Sequence, residues 1–230
     1  MKIFRLLIQF KSGSIETEID VFKEFVYDIN NLAATEKEKI NRIVKGLIDK
    51  NPEDAHEIYD HYSDQYDIYD AKYVELANNG SLVNAYSFFE HQLKDICTTI
   101  NKHVINKKGN YKHQKKLSYA ENLRNEILTI TGLDFSSLNG LWLNIDKYRK
   151  VRNIIVHNGA NLFEEKTKKL NAQKSYSLVN SFTPHIKINN STGDFYIVDE
   201  KLVPDYLDLV KEYLRKFLDI LKLIDNKDIN

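Results

Sequence analysis

Apolar residues recur at intervals of three and four along most of the chain, the spacing that places side chains on one face of an α-helix. The longest such stretch covers about 15–50, and we expect it to break near Ala34-Thr35. Residues 1–13 suit either a strand or a short helix. The first part of the chain is therefore predicted to be mainly helical, with its start left open.

A helix-start signal, Asn51-Pro52-Glu53-Asp54, opens the next segment, because Asn can cap, Pro suits the first turn and acids complement the positive helix end. The helix that follows carries tyrosines at spacings of three and four: Tyr59, Tyr62, Tyr66, Tyr69 and Tyr73. This tyrosine stripe predicts a seam packed against another helix. A dimer contact and a base-stacking surface are the alternatives.

Asn79-Gly80 is predicted to end that helix, and Ser81 to begin another with one apolar face. Residues 106–116 are polar and basic, which indicates a loop that is either simply solvated or guides RNA. Ser118 and Glu121 form a capping-box pattern for a helix that ends near Gly132.

Leu138 to Trp142 is predicted to be a turn or short helix, followed by a helix over about 143–158 that Asn158-Gly159 would stop. Its core face would include Ile145, Tyr148, Val151 and Ile155. Residues 160–180 are polar and receive no assignment. A β-hairpin over about 185–198 and a final helix over about 203–225 complete a mainly α fold with a small C-terminal hairpin.

Composition supports a globular protein, since 42% of the 230 residues are hydrophobic. We expect a single domain over 1–230, with a core at about 80–160 and an N-terminal helical extension. The formal net charge is zero, so binding of RNA would need a local basic patch.

Several locations and chemistries are disfavoured. The apolar stretch at 3–10 is too short to span a bilayer and contains Arg5, so neither a membrane role nor a signal peptide is expected. Cys97 is the only cysteine, which excludes a disulfide or a cysteine-based zinc site within one chain and predicts a core residue. The cytoplasm is the expected location.

The strongest candidate chemistry lies in Lys147 to His157. Arginine is scarce, with six against 27 lysines, yet Arg149 and Arg152 both fall here. On a helix Arg149, Asn153 and His157 would share one face, with Arg152 beside them. Arg can clamp a phosphate, His can exchange protons near neutral pH and Asn can orient either group, a set that suits metal-independent phosphodiester cleavage. The alternative is a cation in the last helical turn that interacts with the helix dipole.

At these residues the sequence resembles the HEPN superfamily, whose signature is Arg, four to six residues and then His, often with a polar residue directly after Arg. Arg152 and His157 are separated by four residues, and Asn153 fills the polar position. The segment 152–159 is similar to the family's second core helix, and 85–93 is similar to the helix that packs against it. The resemblance covers about 80–160.

The resemblance implies a helical bundle that forms a homodimer, with the two motifs meeting at the interface. Many members are ribonucleases of phage-defence, toxin–antitoxin or CRISPR-linked systems. Carried over, Arg152 would stabilise the pentacoordinate phosphate, His157 would be general acid or base, and Asn153 would position Arg152 or the phosphate. The 2′-hydroxyl would attack and leave a 2′,3′-cyclic phosphate, without a metal or other cofactor.

Further residues take secondary roles in this interpretation. Glu90 would add a polar group to the catalytic site, with a solvated helix face as the alternative. Arg149, Lys147 and Lys150 would bind the RNA backbone.

One position departs from the family's pattern. Some HEPN toxins carry Tyr two residues after the His, where this chain has Gly159, so control by modification of that Tyr is not expected. An antitoxin of another type, a defence-system partner, or none, stays open. The competing functions are a non-catalytic HEPN-like module that binds RNA, a nucleotide or a protein, and a structural dimer built on the tyrosine stripe.

Overall fold

The computed structural model describes residues 3–163, 169–224 and 228–229. It is mainly helical with one two-stranded antiparallel sheet, which confirms the predicted class. The elements are α1 (Ile3–Ile48), α2 (Ala55–Asp67), α3 (Tyr73–His103), α4 (Tyr119–Thr131), α5 (Asn139–Asn158), α6 (Tyr176–Asn180), β1 (Ile186–Ile188), β2 (Phe195–Ile197) and α7 (Leu202–Leu221). Within these ranges, no helix has both the length and the apolar character needed to cross a bilayer.

Helix α1 is continuous from Ile3, so the open assignment at 1–13 resolves to helix for the described residues and the predicted break at Ala34-Thr35 is wrong. Its buried positions recur at spacings of four and seven: Phe4, Ile8, Ile15, Ile19, Val26, Ala33, Ile40 and Val44. Ala33 and Ile40 keep this face on both sides of the expected break. Because burial continues on the same side, neither Ala34 nor Thr35 has a reason to end the helix.

The helix end predicted at Asn79-Gly80 is also wrong, because α3 runs through it. Asn78 is 1% exposed, and its amide donates to the carbonyl oxygen of Ile197 at 3.3 Å and exchanges hydrogen bonds with the Asn30 amide. A buried and partnered Asn stabilises the helix at a position where an exposed one would favour a turn. The glycine in the helix costs only about 1 kcal/mol.

Upstream of α3 the helix-start signal is partly confirmed. Pro52–Asp54 forms a 3-10 turn that leads into α2, but among the residues with described positions the Asn51 side chain makes no capping hydrogen bond. A π-helical turn at Ile68–Lys72 joins α2 to α3. Along the tyrosine stripe Tyr59 is 62% exposed, whereas the other members are half-buried, and the Lys37 ammonium of α1 lies 5.2 Å from the Tyr66 ring centre.

The chain divides into two compact units, and each is treated by itself. The described parts of the first unit are 3–22, 84–150, 205–224 and 228–229, and those of the second unit are 23–83, 151–163 and 169–204. The predicted single domain over 1–230 stays a prediction.

Aromatic side chains from α3 and α7 form the centre of the first unit. Phe89 is fully buried and lies edge-on to Tyr213 at 5.8 Å, and Phe135 contacts Phe217 at 4.5 Å between ring centres. Helix α4 has both predicted ends, since the Ser118 hydroxyl accepts from the Glu121 N–H at 3.2 Å and Gly132 closes the helix in the left-handed conformation. The polar stretch at 106–116 is non-helical, as predicted.

The predicted hairpin is confirmed in the second unit. Strand β1 pairs with β2, with Ile186 opposite Ile197 and Ile188 opposite Phe195. Ile186, Phe195 and Ile197 are buried, so one face of the hairpin packs inward.

The other predicted helices lie close to those observed. Helix α5 begins at Asn139 rather than near 143 and ends at Asn158 as expected. Ile145 and Val151 are buried as predicted, but Ile154 joins them while Tyr148 and Ile155 are half-buried. Helix α7 confirms the predicted final helix up to Leu221. Residue 225 of that prediction and residues 164–168 of the unassigned polar stretch lie outside the described part.

Gly193 offers a test of the hairpin turn. Its φ is +76°, and a Cβ there would lie 2.4 Å from Cδ2 of Phe163. Gly193→Ala should therefore lower the free energy of unfolding by about 2 kcal/mol or more, because strain and overlap add. The measurement is urea unfolding followed by circular dichroism.

Gly80→Ala is the matched control, since Gly80 lies in a helix of the same unit and no atom of the described residues lies within 4 Å of its added Cβ. This change should raise the free energy of unfolding by about 0.5–1 kcal/mol. Equal shifts in the two variants would contradict the described turn.

Candidate active site

The last turns of α5 carry the three principal candidates, Arg152, Asn153 and His157, all in the second unit. Val151 is 1% exposed and Ile154 is 8% exposed, so this part of the helix is fixed by its apolar side. The polar residues between them lie outside that buried side: Arg152 and Asn153 are half-buried, and His157 is exposed.

Arg152 and Asn153 contact each other directly. The Arg152 Nη1 donates to the Asn153 Oδ1 at 3.2 Å. Adjacent residues on a helix normally point in different directions, so the long Arg side chain must lie back over its neighbour. The contact holds one edge of the guanidinium against the amide.

The His157 imidazole projects from the last turn of α5. Within 3–163, 169–224 and 228–229, no hydrogen bond or ion pair engages this ring. It is therefore accessible to a ligand without displacing a protein partner.

Helix α5 ends in a tight left-handed turn. Gly159 and Ala160 have φ values of 61° and 59°, and the Ala160 N–H donates to the Ile154 carbonyl oxygen at 3.3 Å. Gly adopts this conformation without cost, but for Ala it costs about 1–2 kcal/mol. Other contacts must therefore hold the chain in place after the helix.

The hairpin supplies those contacts. The Phe195 N–H donates to the Ala160 carbonyl oxygen, and the Leu162 N–H donates to the Gly193 carbonyl oxygen, each at 2.9 Å. The Asn161 amide nitrogen also donates to the Thr192 carbonyl oxygen at 3.0 Å and to Asp194 Oδ1 at 2.6 Å. We call this set of hydrogen bonds the helix-exit clamp, and it fixes the segment that directly follows His157.

The clamp is the part of the site that the sequence analysis missed. The helix end and the hairpin were both predicted, but nothing in either pattern shows that they meet. Asn161 and Asp194 are 33 positions apart. Asn after a Gly stop is common in turns and carries no sign of a distant partner.

The predicted backbone-binding residues lie on the first-unit part of α5. Asp146 accepts from Arg149 Nε at 2.6 Å and from Lys150 Nζ at 2.9 Å, and the Lys147 Nζ donates to Asn144 at 3.1 Å. Two of these three cations are thus held by one carboxylate.

Asp146 is itself a residue that the sequence could have revealed, because it precedes Arg149 and Lys150 by three and four positions. Burial favours its neutral form, but the hydrogen bonds and charges of Arg149 and Lys150 outweigh this and lower the pKa of the carboxyl. Asp146 is therefore charged near neutral pH and competes with any phosphate for these cations.

Glu90 is half-buried on α3 in the first unit, whereas the Arg152 motif belongs to the second. Its membership of the site stays a prediction.

Neither a cysteine nucleophile nor a metal site is supported by the described residues. Cys97 is 4% exposed, and burial together with Glu126 raises its pKa to about 12, so it is a core residue as predicted and not an activated nucleophile. Among the residues with described positions, no group of three or more His, Cys, Asp or Glu side chains could hold a metal ion.

Comparison of the chain with known protein families, with curated proteins and with solved structures finds no match.

Replacing Asn161 tests the helix-exit clamp. Asn161→Ala removes the two hydrogen bonds that its amide nitrogen donates and the one that its Oδ1 accepts from the Phe163 N–H. The change should loosen the junction by about 1 kcal/mol, so the Leu162 and Phe195 amides should exchange with solvent about fivefold faster. Hydrogen–deuterium exchange measures this directly. Asn190→Ala, at an exposed position of the hairpin turn, should leave both amides unchanged.

A pH series tests the Asp146 pairs. Because the pKa of the folded-state carboxyl is lowered, its stabilisation is present above the unfolded-state pKa and is lost as pH falls through the folded-state pKa. Asp146→Asn should therefore reduce the free energy of unfolding by about 0.5–1 kcal/mol at neutral pH and by nothing in strong acid. Asp64→Asn, on the exposed side of α2, is the control; a loss that persists in acid would contradict the assignment.

Proposed function

We propose that this chain is a HEPN-type, metal-independent endoribonuclease. The observation that carries the proposal is the hydrogen bond between Arg152 and Asn153 close to an exposed His157, all on the last turns of α5. An oriented guanidinium and an accessible imidazole are the groups that phosphodiester transfer requires.

The proposed reaction is an internal transesterification. The 2′-oxygen of the RNA forms a bond to the adjacent phosphorus as the bond to the 5′-oxygen breaks, which leaves a 2′,3′-cyclic phosphate and a 5′-hydroxyl. His157 accepts the proton of the 2′-hydroxyl or donates one to the leaving oxygen. Arg152 stabilises the negative charge that accumulates on the phosphorane oxygens, and Asn153 holds Arg152 for this role.

A homodimer completes this chemistry. Transesterification needs a proton acceptor and a proton donor, whereas one motif supplies a single histidine. A second copy of the chain would bring its own Arg152 and His157, so each chain contributes half of the cleft. The HEPN-like bundle arrangement belongs to the same proposal.

Substrate attraction must be local because the formal net charge is zero. Lys147, Arg149 and Lys150 provide positive charge on α5, and their contacts with phosphates would depend on ionic strength. The biological role that fits such an enzyme is a toxin or phage-defence effector, with an antitoxin or a defence-system partner as its regulator. Gly159 leaves no hydroxyl for modification at the position that some HEPN toxins use.

The decisive assay is cleavage of RNA in EDTA. Wild-type protein should cleave and leave 2′,3′-cyclic phosphate ends, and His157→Ala and Arg152→Ala should each lower the rate by about 100-fold or more. Asn153→Ala should have a smaller effect, because the guanidinium remains.

His56→Ala is the matched control, since His56 is an exposed helical histidine of the same unit, 88% exposed at its side chain. Undiminished cleavage by His157→Ala would refute the proposal. Tight RNA binding with no cleavage of any RNA, and no toxicity on expression, would identify the non-catalytic module instead.

A further inference from the structure

A groove of about 530 Å³ lies between α4 and α5 in the first unit. Arg124 lines it from α4, and Trp142, Leu143, Arg149 and Lys150 line it from α5. Phosphate contacts were predicted from the sequence for Arg149 and Lys150, and no functional role was predicted for the other three residues.

Arg124 and Trp142 form a fixed layer in this groove. The guanidinium carbon lies 4.9 Å from the indole ring centre, and Nη2 donates to Asn139 at 2.6 Å. The indole is held within the aromatic core by Phe89 at 6.1 Å and Tyr213 at 5.7 Å between ring centres. A planar cation over an aromatic ring is a surface on which a nucleobase can stack.

Apolar surface and charge occur together in the same groove. Leu143 is 63% exposed and adds apolar surface to the groove. The lining includes three cations, Arg124, Arg149 and Lys150, against two carboxylates, Glu121 and Asp146. A ligand with a flat apolar face and a negative group matches this combination, and a nucleotide has both.

We propose that this groove binds one nucleotide of a single-stranded RNA, with its base on the Arg124–Trp142 layer and Leu143 and its phosphate on Arg149 and Lys150. The inference rests on the proposed function, because it describes how residues other than the Arg152 motif would hold that enzyme's substrate. Asp146 holds both phosphate-binding cations when RNA is absent, so the carboxylate lowers the affinity. Stacking recognises the face of a base, so binding tolerates any base sequence.

Trp142 gives a direct measurement because it is the only tryptophan in the chain. The His157→Ala variant of the 230-residue chain, which should not cleave, is titrated with short oligouridylate and oligoadenylate at low salt. Both should quench the tryptophan emission saturably, whereas inorganic polyphosphate, which has no base, should quench it far less.

Variants separate stacking from charge and from damage to the fold. Arg124→Lys keeps the charge but loses the planar group, and Leu143→Ala removes the exposed apolar surface; each should weaken RNA binding about tenfold. Arg215→Lys and Leu223→Ala make the same changes at exposed positions of the first unit and should have no effect. Asp146→Asn should tighten binding, since it frees two cations.

The results distinguish this inference from the proposed function. Three outcomes would overturn the assignment of the groove as an RNA site. The first is RNA binding, detected by fluorescence anisotropy of labelled RNA, that leaves the tryptophan emission unchanged. The others are equal quenching by polyphosphate and an unaltered RNA affinity in both Arg124→Lys and Leu143→Ala. Cleavage could then still be present. Saturable quenching by a wild-type protein that cleaves no RNA would support the groove and refute the nuclease.

Discussion

The geometry of the Arg152 motif depends on how α5 ends. A helix that carries functional groups in its last turn would fray unless its carbonyl groups and the following chain were held. Here Gly159 reverses the chain and Ala160 adopts an unfavourable backbone conformation. The hairpin then forms hydrogen bonds with the main chain of the residues that follow and with the Asn161 side chain. The hairpin therefore has a structural purpose that its sequence does not reveal, which is to fix the end of the helix that bears His157.

A second constraint is charge. A protein with zero formal net charge attracts RNA only where cations are concentrated, and on α5 this concentration is partly neutralised by Asp146. Neutralisation keeps Arg149 and Lys150 ordered in the absence of a ligand, so less conformational entropy is lost when a phosphate arrives. The same carboxylate limits affinity, which would suit an enzyme that must release its products.

The sequence predicted features whose cause is local. The Ser118 cap, the Gly159 stop and the hairpin depend on residues within a few positions of one another, and all three are present. The errors at Ala34-Thr35 and Asn79-Gly80 have the opposite origin. Ala34-Thr35 offers no strong local reason for a break, since Ala is a good helix former, and burial of Ala33 continues the apolar face of α1. Asn79-Gly80 does favour a break when exposed, but burial of Asn78 stabilises the helix there. Tertiary contacts therefore override local preference at Asn79-Gly80.

In the candidate site, too, the sequence predicted the local features and did not predict the contacts between residues that are distant in the chain. Spacing alone placed Arg152, Asn153 and His157 on one helix, because the helical period is a local property. It could not show the Arg152–Asn153 hydrogen bond, since adjacent helical residues are not expected to meet, nor the helix-exit clamp. The Arg124–Trp142 layer was equally hidden, because it joins two helices through a contact that no periodic pattern records.

Binding and cleavage draw on different interactions in this scheme. In the proposed enzyme, stacking on Arg124 and Trp142 would act on the ground state of the RNA and change how tightly the substrate is held. The charge on Arg152 and the proton transfer by His157 would act as the phosphorane forms, so they would change the rate of the chemical step. A base-stacking groove offers no hydrogen-bond pattern that distinguishes one base from another. Selectivity for a particular RNA must therefore come from how the scissile phosphate reaches the motif, and a single-stranded segment is the form of RNA that can supply both an unstacked base and an accessible 2′-hydroxyl.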